Sequence, residues 1–217
     1  ELSLIKARLK GTRIPLQKVP DKKLKEMVGD VNHQGIVATL KEFVYTDFNT
    51  WLSGIDPNDT VGVLVLDEIE DPHNVGAIIR SSAALGMSAV LLPSHRQAGI
   101  TATVFKTSAG AVTRIPVIKV GNVNQALTTL QKNRFWIAGL TGEQKGSKKL
   151  PRSQNLWDIT FTDSHAFVVG NEGKGIREKT AELCDIAIDI PMTHGVESLN
   201  ASVAAAITCY EWHRQRK

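Results

Sequence analysis

From residue 61 onward, short apolar blocks alternate with amphipathic stretches and polar turns. The run 61–66 (VGVLVL) is apolar throughout and of strand length, as expected of a strand covered on both faces. A helical pattern follows over 74–85, then a strand at 89–92, a small-residue helix over 101–111 and a strand at 115–120. A helix over 123–131 and a strand at 135–140 continue the alternation. The polar, irregular stretch 141–160, carrying Lys145, Lys148, Lys149 and Arg152, interrupts it. A strand at 166–169, a helix over 177–183, a strand at 186–190 and a closing helix over 199–214 complete the series. Strands separated by helices predict an α/β fold, a mostly parallel sheet with helices on both faces.

The first 60 residues follow a different pattern. A helix closes at Gly11, and Arg13-Ile14-Pro15-Leu16 reads as a short strand that Pro15 confines to a sheet edge. Pro20-Asp21 opens a lysine-rich helix ending near Gly29, and His33-Gln34-Gly35 leads into a strand at 36–40. These elements are too few to bury a core, so residues 1–45 are expected to be part of a small α/β domain. Residues 46–60, with Asp56-Pro57-Asn58-Asp59, read as a linker to a main domain at 61–217.

Composition narrows the class. With 217 residues and 42% hydrophobic content, the chain can form one well-packed domain plus a small appendage. No apolar run approaches the roughly 18 residues of a membrane span, and the first residues lack the layout of a signal peptide. A cytoplasmic, membrane-free protein is expected. Cys184 and Cys209 form no disulfide framework and read as reduced core residues, and the six histidines lack metal-ligand spacing, so no metal is expected. The net charge of +4 is unevenly placed. Residues 1–45 hold nine Lys/Arg against five Asp/Glu, whereas the remainder balances at 17 of each. A basic amino-terminal piece is either a solvated face or a nucleic-acid contact surface, and charge alone leaves both readings open.

Three motifs carry candidate chemistry. In Asp71-Pro72-His73-Asn74-Val75-Gly76-Ala77-Ile78-Ile79-Arg80, Asn74 is suited to cap a helix, and Arg80 stands in an otherwise apolar helix near a strand's carboxyl end. Such an arginine is a surface charge or a recognition group for phosphate or carboxylate. In Val169-Gly170-Asn171-Glu172-Gly173-Lys174-Gly175, a strand enters a glycine-rich turn. Its order is neither the dinucleotide fingerprint nor a Walker loop, and Glu172 lacks an evident partner within it. The third motif runs from Ile190-Pro191-Met192 to Ser198-Leu199-Asn200 and leads into a helix. It is a helix cap or one wall of a ligand site at a strand's carboxyl end.

In order and spacing, the set Asn74/Arg80, Gly170/Glu172/Gly173 and Ile190-Pro191-Met192/Ser198-Leu199-Asn200 resembles the SpoU family of the SPOUT class of RNA methyltransferases, over roughly residues 61–214. The segment from His33 to Ile36 is similar to the end of the ribosomal-protein-like RNA-binding domain that precedes the catalytic domain in many members, and residues 1–45 are expected to represent only part of that domain. The resemblance implies a carboxyl-terminal trefoil knot, which topology rules alone would disfavour. It also implies S-adenosylmethionine as cofactor and a homodimer whose interface uses the closing helix. Gly139, Thr141, Gly170, Gly173, Ile190, Met192 and Leu199 would hold the cofactor. Arg80, Asn74, Glu172, Ser198 and Asn200 would form the catalytic set.

The implied reaction is methyl transfer to a ribose 2′-hydroxyl of structured RNA, ribosomal RNA favoured over transfer RNA. Arg80 stays protonated, so its role would be to hold a phosphate and stabilise a developing alkoxide rather than to act as a simple base. Asn74 would orient Arg80 or the ribose, Glu172 and Ser198 would support the site by hydrogen bonds, and Asn200 would position the substrate or the glycine-rich loop. Two rivals remain: an RNA-binding protein that keeps the fold without catalysis, and a nucleotide-binding enzyme of ordinary doubly wound topology. The latter predicts an early glycine fingerprint that residues 61–76 lack.

Overall fold

The computed structural model describes residues 2–31, 33–142 and 149–216, and the chain divides into two compact units, Glu1–Phe43 and Val44–Lys217. The first unit contains α1 (Leu2–Leu9) and α2 (Asp21–Val28), the latter closed by Gly29 at φ 74°, whose N–H donates to the Lys25 carbonyl. Neither strand expected here forms among the described residues. Ile14, Leu16, Ile36 and Leu40 are exposed, and their extended segments have no neighbouring strand to pair with.

In the second unit, seven strands form one sheet: β1 (Gly62–Asp67), β2 (Ala89–Pro93), β3 (Val117–Val120), β4 (Trp136–Thr141), β5 (Ser153–Asn155), β6 (His165–Gly170) and β7 (Ile186–Asp189). Their order is β3-β2-β1-β6-β4-β7-β5, and every neighbouring pair is parallel. The sheet is therefore wholly parallel. The helices are α3 (Phe48–Ser53), α4 (Pro72–Ala84), α5 (Ala102–Thr107), α6 (Val123–Lys132), α7 (Glu178–Ala181) and α8 (Ala201–Arg214). Side chains alternate across a strand. Val63 and Val65 of β1 accordingly face a core with Trp51 of α3, Leu127 of α6 and Ala181 of α7. On β6, Phe167 meets Trp212 of α8 edge to face, with ring centroids 5.4 Å apart.

Residues 46–60 are not a free linker. Asp47 accepts the Thr50 N–H at 2.8 Å and starts α3, and Trp51 packs into the core while its Nε1 donates to Ser88 Oγ at 3.2 Å. The irregular stretch 141–160 contains β5, whose Ser-Gln-Asn sequence is exposed and gives no apolar signal. Lys145 and Lys148 lie outside the described residues. The helix expected over 101–111 ends at Thr107, because Ala109 and Gly110 adopt positive φ and a single 3-10 turn, Ala111–Thr113, follows.

Candidate active site

At the carboxyl ends of β6, β4 and β7, three adjacent strands, the sheet opens into a cavity. Leu140, Val169 and Ile188 come from the strands, and Ile176, Ile190, Met192 and Leu199 from the loops beyond them. Thr141, Asn171, Glu172 and Ser198 add polar groups to this apolar lining. Ligands of parallel α/β sheets bind at this edge.

The glycine-rich turn is shaped by close backbone approach. The Asn171 N–H donates to the Gly175 carbonyl at 3.0 Å and the Gly175 N–H to the Asn171 carbonyl at 2.7 Å. The Asn171 side chain accepts from the N–H groups of Gly173 and Lys174, at 2.9 and 3.2 Å. A methyl group on Gly170 would collide with the backbone of Gly175 and Ile176, so only glycine fits where β6 enters this turn. A methyl group on Gly142, just after β4, would stand 2.9 Å from the Glu197 carbonyl, so the chain returning after β7 runs against the exit of β4.

Glu172 joins the three motifs. Its Oε1 accepts hydrogen bonds from Asn74 Nδ2 and, at 3.3 Å, from Asn200 Nδ2. Asn200 also caps α8: its Oδ1 accepts from the Ser202 N–H at 2.9 Å and from Ser202 Oγ at 2.6 Å. The cap of α8 is therefore also a partner of Glu172. Asn74 is not the cap of α4. Asp71 fills that position, accepting the His73 N–H at 2.9 Å, which frees the buried Asn74 to reach Glu172.

The structure brings some of the expected residues together and leaves others apart. Thr141, Gly170, Glu172, Ile190, Met192, Ser198 and Leu199 line the cavity. Gly139 does not, because it lies inside β4, packed by Leu150, Cys184 and Ile176, nor does Gly173, which is exposed at the tip of the turn. Gly175 and Ile176, on the returning side of the turn, line the wall instead, as do Leu140 and Leu150. Gly175 could have been inferred from the G-x-x-G-x-G spacing, whereas nothing in the sequence marks Leu150. Arg80 is exposed, off the cavity wall and without an ion pair among the described residues. It sits six residues after Asn74, roughly 120° around the helix.

Away from the cavity's polar rim, burial shifts the titration of two thiols and one imidazole. Burial pushes the Cys184 and Cys209 thiols up to about 12, and both cysteines are free. Burial also lowers the pKa of His165. Among the described residues, no group of three or more His, Cys, Asp or Glu could hold a metal ion, and no helix is long and apolar enough to cross a membrane. The site thus combines an apolar slot edged by backbone polar groups with a carboxylate held by two amides. The slot suits a flat heterocycle and the polar rim a hydroxyl-bearing ligand.

Residues 62–210 match the SpoU rRNA Methylase family, and residues 1–46 match the RNA 2′-O ribose methyltransferase substrate binding family. The 23S rRNA (guanosine-2′-O-)-methyltransferase RlmB of Xylella fastidiosa is 42% identical over 216 residues, covering 97% of this chain and 81% of that protein. The SpoU methyltransferase AviRb of Streptomyces viridochromogenes, solved with S-adenosylmethionine, superposes with a TM-score of 0.63 at 27% identity. That match spans 73% of this chain and only 61% of AviRb. The TrmH/SpoU tRNA modifying enzyme of A. aeolicus superposes with a TM-score of 0.62 at 27% identity, over 78% of this chain and 82% of the other.

Proposed function

Since the chain belongs to the SpoU rRNA methylase family, we propose that it transfers a methyl group from S-adenosylmethionine to a ribose 2′-hydroxyl of ribosomal RNA at the cavity beside Glu172. The observation that carries this siting is the Glu172 carboxylate, which draws Asn74 and Asn200 onto one oxygen at the cavity's rim. The residues present fit the cofactor. Leu140, Ile188, Ile190 and Leu199 offer an apolar slot for a purine, and Thr141 and Ser198 offer hydroxyls beside it. The bare backbone at Gly170 allows the glycine-rich turn to fold close against the slot.

When bound, S-adenosylmethionine supplies an electrophilic methyl group. The protein's task would be to hold the ribose 2′-hydroxyl in line with that methyl group and to ease loss of the hydroxyl proton. Arg80, permanently cationic, holds an RNA phosphate and steadies the charge growing on the 2′-oxygen, with that phosphate or a neighbouring group taking the proton. Asn74 and Asn200, fixed by Glu172, orient the ribose, and Ser198 supports them from the rim. Residues 1–46, with the chain's excess positive charge, dock the RNA, a reading supported by the match to a substrate-binding family.

The same reading makes the protein a cytoplasmic homodimer with a knotted carboxyl-terminal region. In support of the dimer, α8 exposes Val203, Ile207 and Tyr210 at helical spacing along one face. In support of the knot, residues 197–198 return against Gly142, where the chain leaves β4.

The test is transfer of a labelled methyl group from S-adenosylmethionine to purified ribosomal and transfer RNA, with the product mapped by its alkali-resistant ribose. Label in ribosomal RNA is expected, lost in Asn200→Ala. Cofactor binding by calorimetry without transfer to either RNA would instead support an RNA-binding protein that keeps the fold but not the catalysis.

A further inference from the structure

Beneath the glycine-rich turn lies an ion pair that touches neither the cavity nor the Glu172 cluster. Asp67, the last residue of β1, is fully buried. Its Oδ1 accepts from Arg177 Nε at 2.7 Å and Nη2 at 2.6 Å, and its Oδ2 accepts from the Arg177 backbone N–H at 3.0 Å. The next residue, Glu68, is held in the left-handed region at φ 64°. Its carbonyl accepts from Asn171 Nδ2 at 3.0 Å, and its carboxylate lies 3.5 Å from Arg177 Nη1 and 3.6 Å from Arg96 Nη1.

The segment 170–177 is therefore tied to one place at both ends. Gly170 stands in register with Asp67 across the β1–β6 ladder, Asn171 is bonded to Glu68, and Arg177 closes the segment onto Asp67. Between these ties lie Glu172 and the wall residues Gly175 and Ile176. Asp67 is buried but the Arg177 side chain is 42% exposed, so solvent screens part of the attraction and the pair adds little net stability, whereas removing Arg177 leaves the buried carboxylate without its partner. Its value here is geometric: the two-pronged guanidinium fixes both the distance and the orientation of the segment it ends.

We propose that Asp67 and Arg177 are positioning residues, which set the place of the glycine-rich turn and thereby the width of the cofactor slot and the reach of Glu172. The proposal rests on the reading of the cavity as the S-adenosylmethionine site. It predicts that the fork geometry, and not charge alone, matters at position 177.

Two variants test it. Arg177→Lys keeps the charge and removes the fork, and Asp67→Asn combined with Arg177→Gln replaces the ion pair by a neutral amide pair. Backbone hydrogen exchange in the cofactor-free protein should rise at 171–176 in both, while β1 and β6 keep their protection and the melting temperature stays near that of the parent. Calorimetry should show S-adenosylmethionine binding weakened about tenfold, and kcat at saturating cofactor should fall as well, since small displacements of positioned groups carry penalties of this order. Folded variants with parental exchange at 171–176 and parental cofactor affinity would overturn the proposal. Failure of both variants to fold would also overturn it, since the pair would then specify the fold rather than the turn. If the parent protein itself bound no S-adenosylmethionine, the site reading would fail, while the exchange measurement would still judge the pair.

Discussion

A single carboxylate oxygen, Glu172 Oε1, accepts from amides that lie 98 and 28 residues away in the chain. The glycine-rich motif, the arginine-bearing helix and the entry to α8 thus meet at one atom. Arg80 is different in kind: it is exposed and on another side of α4 from Asn74, and the proposed mechanism gives it an RNA phosphate as partner. Arg80→Ala should lower kcat by about 100-fold or more while leaving the calorimetric affinity for S-adenosylmethionine unchanged, the scale on which loss of one preorganised charge-stabilising donor is felt. The two thiols make a separate prediction. Unfolded, they ionise near 9, whereas burial holds them protonated in the folded state to about 12. The folded state therefore binds the extra protons, and stability should fall as pH rises from about 9 towards 12, by up to about 1.4 kcal/mol per pH unit for each thiol. Urea unfolding across that range measures the slope, and below pH 9 it should show no contribution from the thiols.

At the scale of elements, the site depends on a turn too tight for any side chain at its entrance. Gly170→Ala would drive a methyl group into the backbone of Gly175 and Ile176. Cofactor affinity should fall at least about tenfold, with a lowered melting temperature, because backbone rather than a pliable side chain must move. The elements around this turn are legible in the sequence to unequal degrees. Within β1, β2 and β6 the stretches 63–66, 89–92 and 166–169 are continuous apolar runs, the pattern that burial on both faces favours, whereas the buried Asp67 and His165 at their ends break it. β5 pairs at the sheet edge through backbone groups alone, so Ser153-Gln154-Asn155 has nothing apolar to reveal it. α3 is hidden by the turn residues Asp56-Pro57-Asn58-Asp59 beside it, although Trp51 carries it into the core. The motifs of the site can be read from residue type and spacing, but the contact that unites them cannot. No local pattern marks Glu172 as the partner of Asn74, and the tie from Arg177 back to Asp67 spans 110 residues.

For the whole molecule, the exposed stripe on α8 leads to a test of assembly. Ile207→Glu combined with Tyr210→Glu places two charges on the face that the dimer reading buries, and light scattering should then report a monomer with an unchanged circular dichroism spectrum. A dimer that persists would place the interface elsewhere. The order of strands has a consequence of another sort, for the newborn chain. β1 and β6 are hydrogen-bonded neighbours in the middle of the sheet, yet Gly62 pairs with His165, about a hundred residues further on. A ribosome adding about 5–20 residues per second leaves that edge of β1 without its neighbour for about 5–20 seconds. During this interval an apolar strand with free N–H and carbonyl groups is open to wrong partners. A pairing at the middle of the finished sheet is thus late to form during synthesis, and yield in the cell should depend on translation speed and chaperone supply more than the stability of the finished fold would suggest.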